Sequence, residues 1–328
     1  MVINEVISHI YDKENGIGII SDKSIDLKSD LDLYKYLEKH LQKCIKDNAA
    51  HRGTLNNSTF ISDYKELGFL AFSKKKAEEI IALIIKSDIE YSFSLVFMDF
   101  IREEKHYLAA LFFQHKNLYI NTIENGNGCS KNNIISHSAV LPETTQRISE
   151  YFILALDDKD LIFKEKTRFI DGQDVNIIAD VLFLCKKQLS VKQTIEKINS
   201  IANSVAVKNE MSATEISGKI KSHIIENLDI MDTFDPKEII NEVFADDENL
   251  KEEFVAEFDK SDLLPVKHID KKYLKRTERL HKIKTDTGIE ISIPVDYLQD
   301  RDLIEFNYND NGRISIKLKN IGQIIDRK

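Results

Sequence analysis

The densest group of positively charged side chains in the chain lies between Leu263 and Lys284. This basic run holds eight lysines or arginines and two acidic residues, whereas the preceding segment, 242–262, holds nine acidic residues and two lysines. Lysine and arginine neutralise nucleic-acid phosphates without reading base sequence. Because the whole chain has a formal charge of -9, contact with a polyanion requires a local patch, and the basic run is the best candidate.

Several cations of the basic run recur at spacings that place them on one face of a helix. Tyr273 lies among them, and its ring suits contact with a sugar or base. A second basic cluster follows Ser73 at a predicted helix start, where lysines oppose the helix dipole unless an anion is bound. The predicted DNA-binding residues are Lys267, Lys271, Lys272, Tyr273, Lys275, Arg276, Arg279, Lys282 and Lys284, with Lys74, Lys75 and Lys76 as the second cluster.

The acidic segment 242–262 leaves other hypotheses open. A charge run is commonly no more than a solvated surface, and this applies to the basic run as well. The acidic side chains would also suit a DNA mimic or a docking site for a basic protein. In a further alternative they fold back onto the basic run and neutralise it.

Catalytic and metal-binding patterns are missing from the sequence. Lys164-Glu165-Lys166 approaches the E-x-K pattern of a metal-dependent nuclease, but the residue two positions after Glu165 is Thr167. Asn125-Gly-Asn-Gly128 contains two glycines and predicts a turn, not a phosphate-binding loop. None of the nine histidines is spaced i,i+4 from another. The sequence therefore predicts no enzymatic activity, no metal site and no cofactor, with an unrecognised hydrolase as the competing hypothesis.

The distribution of apolar residues predicts an α+β protein in three parts. Residues 1–168 form a mixed α/β domain with an antiparallel sheet, residues 169–262 form a helical segment, and residues 263–328 form a basic helix with a small C-terminal β unit. Three capping patterns mark helix starts in the middle part, at Ser190, Ser212 and Asp235. Near the end of the chain, Asn311-Gly312 is a hairpin signal between two strands.

The N-terminal part allows more detailed predictions. Apolar runs predict strands over 107–113 and 118–123, and a tight turn at His115–Asn117 would join them as a hairpin. The polar segment 49–62 is predicted to be a loop, and Ser73 is predicted to cap a helix.

The composition indicates a cytoplasmic protein. Three widely spaced cysteines without a C-x-x-C pair favour a reducing compartment. The N-terminus carries no signal-peptide pattern, and the longest apolar run is too short to span a membrane.

Several segments together resemble the 37-kDa bacterial nucleoid-associated protein family (NdpA/YejK-like). The similar segments are Phe69–Ser73 with the strand Phe93–Phe97, Tyr107–Phe112, Leu161–Lys164 with the following helix to Phe183, Lys282–Lys284, Ile289–Ile293 and Gly312–Lys317. The resemblance implies a location in the nucleoid, binding to double-stranded DNA and no established enzymatic activity. It also implies type II topoisomerase as a protein partner.

The resulting hypothesis is a nucleoid-associated protein that binds double-stranded DNA largely without sequence specificity. The alternative is a protein-interaction module that acts on DNA-associated partners such as type II topoisomerase. A homodimer is a further hypothesis, in which two weak patches would act together. The apolar helical stripes of 171–230 could supply its interface, although an internal core is the more economical use of them.

Overall fold

The protein divides into two compact units, Met1–Gln188 and Leu189–Lys328. The computed structural model describes residues 1–126, 129–209, 211–227, 233–245, 247–261, 263, 266–267, 271–298, 300, 302–308 and 314–323. The boundaries at 168 and 262 stay predictions. Among the described residues, none of the helices combines the length and the apolar character needed to cross a bilayer.

The first unit contains eleven strands and two α-helices within its described residues, together with a π-helix at Ile177–Leu182. Its elements are β1 (Val2–Asp12), β2 (Ile17–Ile19), α1 (Leu31–Ile45), β3 (His51–Thr54), α2 (Ser58–Ile85), β4 (Phe93–Arg102), β5 (Lys105–Gln114), β6 (Lys116–Gly126), β7 (Cys129–Val140), β8 (Tyr151–Ala155), β9 (Asp160–Lys164), β10 (Arg168–Ile170) and β11 (Gln173–Val175).

Seven of these strands form one antiparallel sheet in the order β2-β1-β4-β5-β8-β9-β3. Successive side chains of a strand point to opposite faces. Leu95 and Phe97 of β4 therefore pack with α2 and the π-helix, whereas Val96 and Met98 pack with α1. Helices cover both faces, which explains why β4 is apolar almost throughout.

Two local predictions in this unit are wrong. The segment 118–123 does not return along β5; it belongs to the two-stranded ribbon of β6 and β7, while β5 pairs with β4 and β8. The segment 49–62 is not a loop throughout, since β3 pairs with β9 and α2 begins at Ser58. The strand β3 has only four residues, too few to show the alternation of apolar and polar side chains that predicts a strand. Its pairing with β9 therefore decides its structure.

The start of α2 also differs from the prediction. Ser73 lies inside this helix and donates its hydroxyl to the Leu70 carbonyl, 2.8 Å away, while Asn57 is the N-cap. The helix is broken at Gly68, whose φ of 73° and ψ of 169° are not helical. The two halves fold towards each other, so that the rings of Phe60 and Phe72 pack edge to face with their centroids 5.0 Å apart.

The second unit contains six helices and six short strands within its described residues. They are α3 (Val191–Lys208), α4 (Ala213–Asn227), β12 (Thr233–Phe234), α5 (Pro236–Val243), α6 (Glu248–Asp259), β13 (Val266–Lys267), α7 (Lys271–Glu278), β14 (Leu280–Lys284), β15 (Glu290–Pro294), α8 (Val295–Leu298), β16 (Ile304–Tyr308) and β17 (Ile314–Leu318). The α+β class and the order of helices followed by a small β unit are confirmed.

The predicted capping box at Ser190 is present in full. The Gln193 amide donates to Ser190 Oγ at 3.2 Å, and the Ser190 amide donates to Gln193 Oε1 at 3.0 Å. The apolar stripes that follow, such as Ile198 of α3 and Ile220 of α4, are fully buried inside this unit. The strands β16 and β17 pair as predicted, but the hairpin signal Asn311-Gly312 lies outside the described residues.

Candidate nucleic-acid interface

The helix α7 makes an apolar and an ionic contact with the helices around it. Leu274 is buried and packs into the core formed by α3–α6. On the neighbouring face, Glu278 pairs with Lys221 of α4 at 3.3 Å, and both side chains are mostly buried. A short helix rich in lysine has little intrinsic stability, so these tertiary contacts fix its orientation. Of the remaining described cations of α7, Lys272 is exposed, whereas Lys271 and Lys275 are half-buried.

Three of the predicted cations line a groove of about 720 Å³. Lys272 and Lys275 come from α7, and Arg279 follows directly at its end. Lys272 and Lys275 are spaced i, i+3 and so lie on one face of α7. Lys272 and Arg279 are exposed, and Lys275 is half-buried.

The far wall of this groove comes from β15 and α8. Pro294 is the register partner of Leu280, and the Val295 amide donates to the Arg279 carbonyl at 3.0 Å. These contacts bring Pro294, Asp296 and Tyr297 opposite the cations.

The helix α8 is fixed by its approach to α4. A Cβ added to Gly218 would lie 3.0 Å from Leu298 Cδ1, so the absence of a side chain at this position permits the contact. Leu298 is itself buried. Sequence reasoning missed this wall, because it depends on pairing between segments and on one glycine in a different helix.

The lysines of β14 continue the basic surface. Lys282 is exposed and lies opposite Ser292 of β15, whereas Lys284 lies opposite Glu290 and pairs with it at 3.2 Å. A second groove, also of about 720 Å³, is lined by Lys282, Lys192 of α3, Lys221 and two carboxylates. Within the part of the chain that the structure describes, no carboxylate lies within ion-pair distance of Lys272, Arg279 or Lys282.

Three predicted site residues lack a described side chain. The backbone of Lys267 lies in β13, paired with β12, and the backbones of Tyr273 and Arg276 lie in α7. Lys271 is half-buried at the first position of α7. The described cations from Lys271 to Lys284 therefore lie on α7, on β14 and, for Arg279, at the single residue that joins them.

The lysines of the second predicted cluster belong to the other unit and have acidic partners. Lys74 pairs with Asp22, and Lys75 pairs with Asp63 at 2.8 Å. Lys76 is only 7% exposed, pairs with Glu79 at 2.8 Å and lies over the Phe60 ring. The charge of each of these lysines is therefore opposed by a neighbouring carboxylate.

The acidic helix α6 directs several of its carboxylates at other lysines. Glu253 and Glu257 lie 3.7 Å from Lys208 of α3, and Asp259 lies 2.8 Å from Lys237 of α5. Its apolar side packs Phe254 into the core of the second unit. These three carboxylates therefore pair with lysines of α3 and α5 and do not fold back onto the basic run.

The carboxylates of Glu165 and Asp99 have structural roles. Glu165 accepts from the amides of Ile178 and Ala179 at 2.7 and 3.2 Å and so caps the π-helix; burial raises its pKa. Asp99, another acidic residue of the first unit, is buried and accepts from Asn4 at 2.7 Å and from the Tyr64 hydroxyl. Among the described residues, His, Cys, Asp and Glu side chains form no group of three suited to a metal ion.

One family model matches nearly the whole chain. It describes the nucleoid-associated protein YejK and covers residues 7–325. No curated protein matches the chain. The family is a nucleoid-associated one and not a known family of enzymes, and its match includes both units and the basic run. The chain therefore belongs to the YejK family of bacterial nucleoid-associated proteins.

Proposed function

We propose that this protein binds the phosphate backbone of double-stranded DNA, largely without sequence specificity, through α7 and β14. The observation that carries the proposal is the exposure of Lys272 on α7, Lys282 on β14 and Arg279 between them, with no described carboxylate in ion-pair distance. Each such cation that meets a phosphate releases condensed counterions, and this release drives binding without base contacts.

The negative charge of the whole chain does not oppose a local contact of this kind. The Debye length at physiological salt is about 8 Å, so exposed acidic groups further away are largely screened. In addition, Glu253, Glu257 and Asp259 are partly neutralised by their lysine partners. These pairs also weaken the DNA-mimic hypothesis, since a mimic must present free carboxylates.

The protein-interaction alternative keeps type II topoisomerase as its proposed partner, on the strength of the family resemblance alone. The homodimer also stays a prediction. Its predicted interface, the apolar stripes of 171–230, supplies the internal core of the second unit, as Ile198 and Ile220 illustrate. An internal core leaves those side chains unavailable to a second copy.

The decisive experiment removes the three exposed cations together. A Lys272→Gln/Arg279→Gln/Lys282→Gln variant should bind duplex DNA more weakly than the wild type. The slope of log affinity against log salt should fall in magnitude by about 0.9 for each phosphate that the variant no longer neutralises. The measurement is a salt titration of affinity for duplexes of unrelated sequence, with purified protein.

The matched control removes three lysines of the same unit that lie on α5, on α6 and at the C-cap of α6. In a Lys237→Gln/Lys251→Gln/Lys260→Gln variant the change in net charge is identical, but these side chains pair with Asp259, Glu248 and Glu257. It should keep the wild-type slope. Equal affinities and slopes for wild type and the first variant would refute the proposed site.

A further inference from the structure

The groove beside α7 combines cations with an apolar floor. Its described lining comprises Lys272, Lys275, Arg279 and Leu280, together with Pro294, Asp296 and Tyr297 of the far wall. Tyr297 is 49% exposed and Leu280 is 39% exposed, so two sizeable apolar surfaces face solvent within a charged surface. Contact with duplex phosphates uses the cations but gives these apolar groups no partner.

The size and chemistry of the groove suit a nucleotide. Pockets for small organic groups usually occupy about 300 to 1,000 Å³, and this groove has about 720 Å³. Aromatic rings beside a basic track are how proteins hold single strands, since every base has a flat face that stacks on an aromatic ring. In a duplex the base faces are already stacked on one another and are out of reach.

We propose that this groove binds an unstacked base of single-stranded DNA against Tyr297, while the cations of α7 hold the flanking phosphates. The inference rests on the proposed DNA contact and adds a second substrate form to it. Asp296 lies on the α8 side of the groove. Its carboxylate repels phosphate on the α8 side, so the backbone lies along Lys272, Lys275 and Arg279.

Two properties make Tyr297 a clean position to test. Its side chain is half exposed at the end of α8, so its loss leaves the buried neighbours Val295 and Leu298 in place. The protein also contains no tryptophan, so an oligonucleotide labelled with 2-aminopurine can be excited without interference from an indole.

The test compares single-stranded and duplex DNA of the same sequence. Wild-type protein should quench the 2-aminopurine fluorescence of the single strand. Tyr297→Leu should abolish the quenching and weaken single-strand affinity by about five- to a hundredfold, with duplex affinity within about twofold of wild type. Tyr297→Phe, which keeps the ring, should retain both quenching and affinity.

Tyr119→Leu is the matched control, since Tyr119 is 80% exposed but lies on the ribbon of the other unit. It should behave as wild type. Unchanged quenching in Tyr297→Leu would overturn the stacking site, as would an equal loss of single-strand and duplex affinity. If the triple cation variant weakens duplex binding while Tyr297→Leu changes nothing, the duplex contact stands and the single-strand site fails. If the wild type binds neither form of DNA, the duplex contact and the single-strand site both fail.

Discussion

At the scale of single residues, the surroundings of a lysine decide what its charge can do. Lys76 is buried against Phe60 and paired with Glu79, so its charge is used inside the first unit. Lys272 is exposed and has no described carboxylate in ion-pair distance. In the sequence, Lys76 and Lys272 both belong to basic clusters. Only the fold shows that Lys76 is used in an internal ion pair, whereas Lys272 is exposed and available for contact with a phosphate.

A buried histidine should make stability depend on pH. His9 is fully buried; its Nδ1 accepts from the Ser21 amide at 3.1 Å, and burial, helped by the charge of Lys74, lowers its pKa to about 4. Between pH 6.5 and 4 the unfolded chain therefore binds a proton that the folded protein does not. Stability must fall as the pH decreases through this range.

The His9 contribution can be isolated by substitution. His9→Asn keeps an acceptor for the Ser21 amide but does not titrate. Between pH 7.5 and 5, the free energy of unfolding of the variant should fall by about 2 kcal/mol less than that of the wild type. Urea unfolding at a series of pH values measures this. Parallel pH curves for the two proteins would show that His9 is not the group responsible.

At the scale of elements, Gly68 determines the shape of α2. Asp63 and Lys75 are twelve residues apart, a separation of about 18 Å in a straight helix. Their charged atoms nevertheless lie 2.8 Å apart, because the chain folds back at Gly68. The edge-to-face contact between Phe60 and Phe72 depends on the same break.

Alanine at position 68 should therefore destabilise the protein. A φ of 73° with a ψ of 169° lies in a region that essentially only glycine occupies, and a strained residue there costs about 1–3 kcal/mol. A Cβ at Gly68 would meet no atom within 4 Å, so strain and not a clash is the cause.

Urea unfolding of Gly68→Ala measures the cost, with Gly322→Ala as the control. Position 322 is equally open, and its φ is not positive. The control should lie within about 0.5 kcal/mol of wild type. If the two variants are equally stable, the break at Gly68 does not store the strain assigned to it.

Elements were predictable where the signal is local. The box at Ser190 needs two side chains three residues apart, and the sequence contains both. The pairing of β5 with β8 was not predictable in this way, because β8 lies about forty residues further along the chain. The strand β6 follows β5 directly and was the more obvious partner. In the candidate site, the cations of α7 follow from their spacing, whereas Tyr297 reaches the groove only through the pairing of β14 with β15.

At the scale of the whole molecule, the ribbon of β6 and β7 is separable from the core of its unit. None of its described residues belongs to the two core clusters of the first unit. Its apolar side chains point into solvent, with Ile123 66% and Ile134 73% exposed. Since β5 pairs directly with β8, the seven-stranded sheet is complete without the ribbon.

Shortening the ribbon should therefore leave the fold intact. Leu118 and His137 are cross-strand partners, so replacing residues 118–137 with a two-residue Asn-Gly turn bridges a short gap. The free energy of unfolding should change by less than about 1 kcal/mol, as a surface change away from the core does. Loss of cooperative urea unfolding would show that the ribbon supports the sheet after all.

The ribbon also offers a natural attachment point for a reporter. With eleven residues in β6, at about 3.4 Å per residue, its far end lies roughly 35 Å along the strand from its base. A dye on Lys131, near that end, would sit well away from the folded core while remaining joined to it through two paired strands. Energy transfer from such a dye to labelled DNA would then give the distance between this arm and a bound duplex.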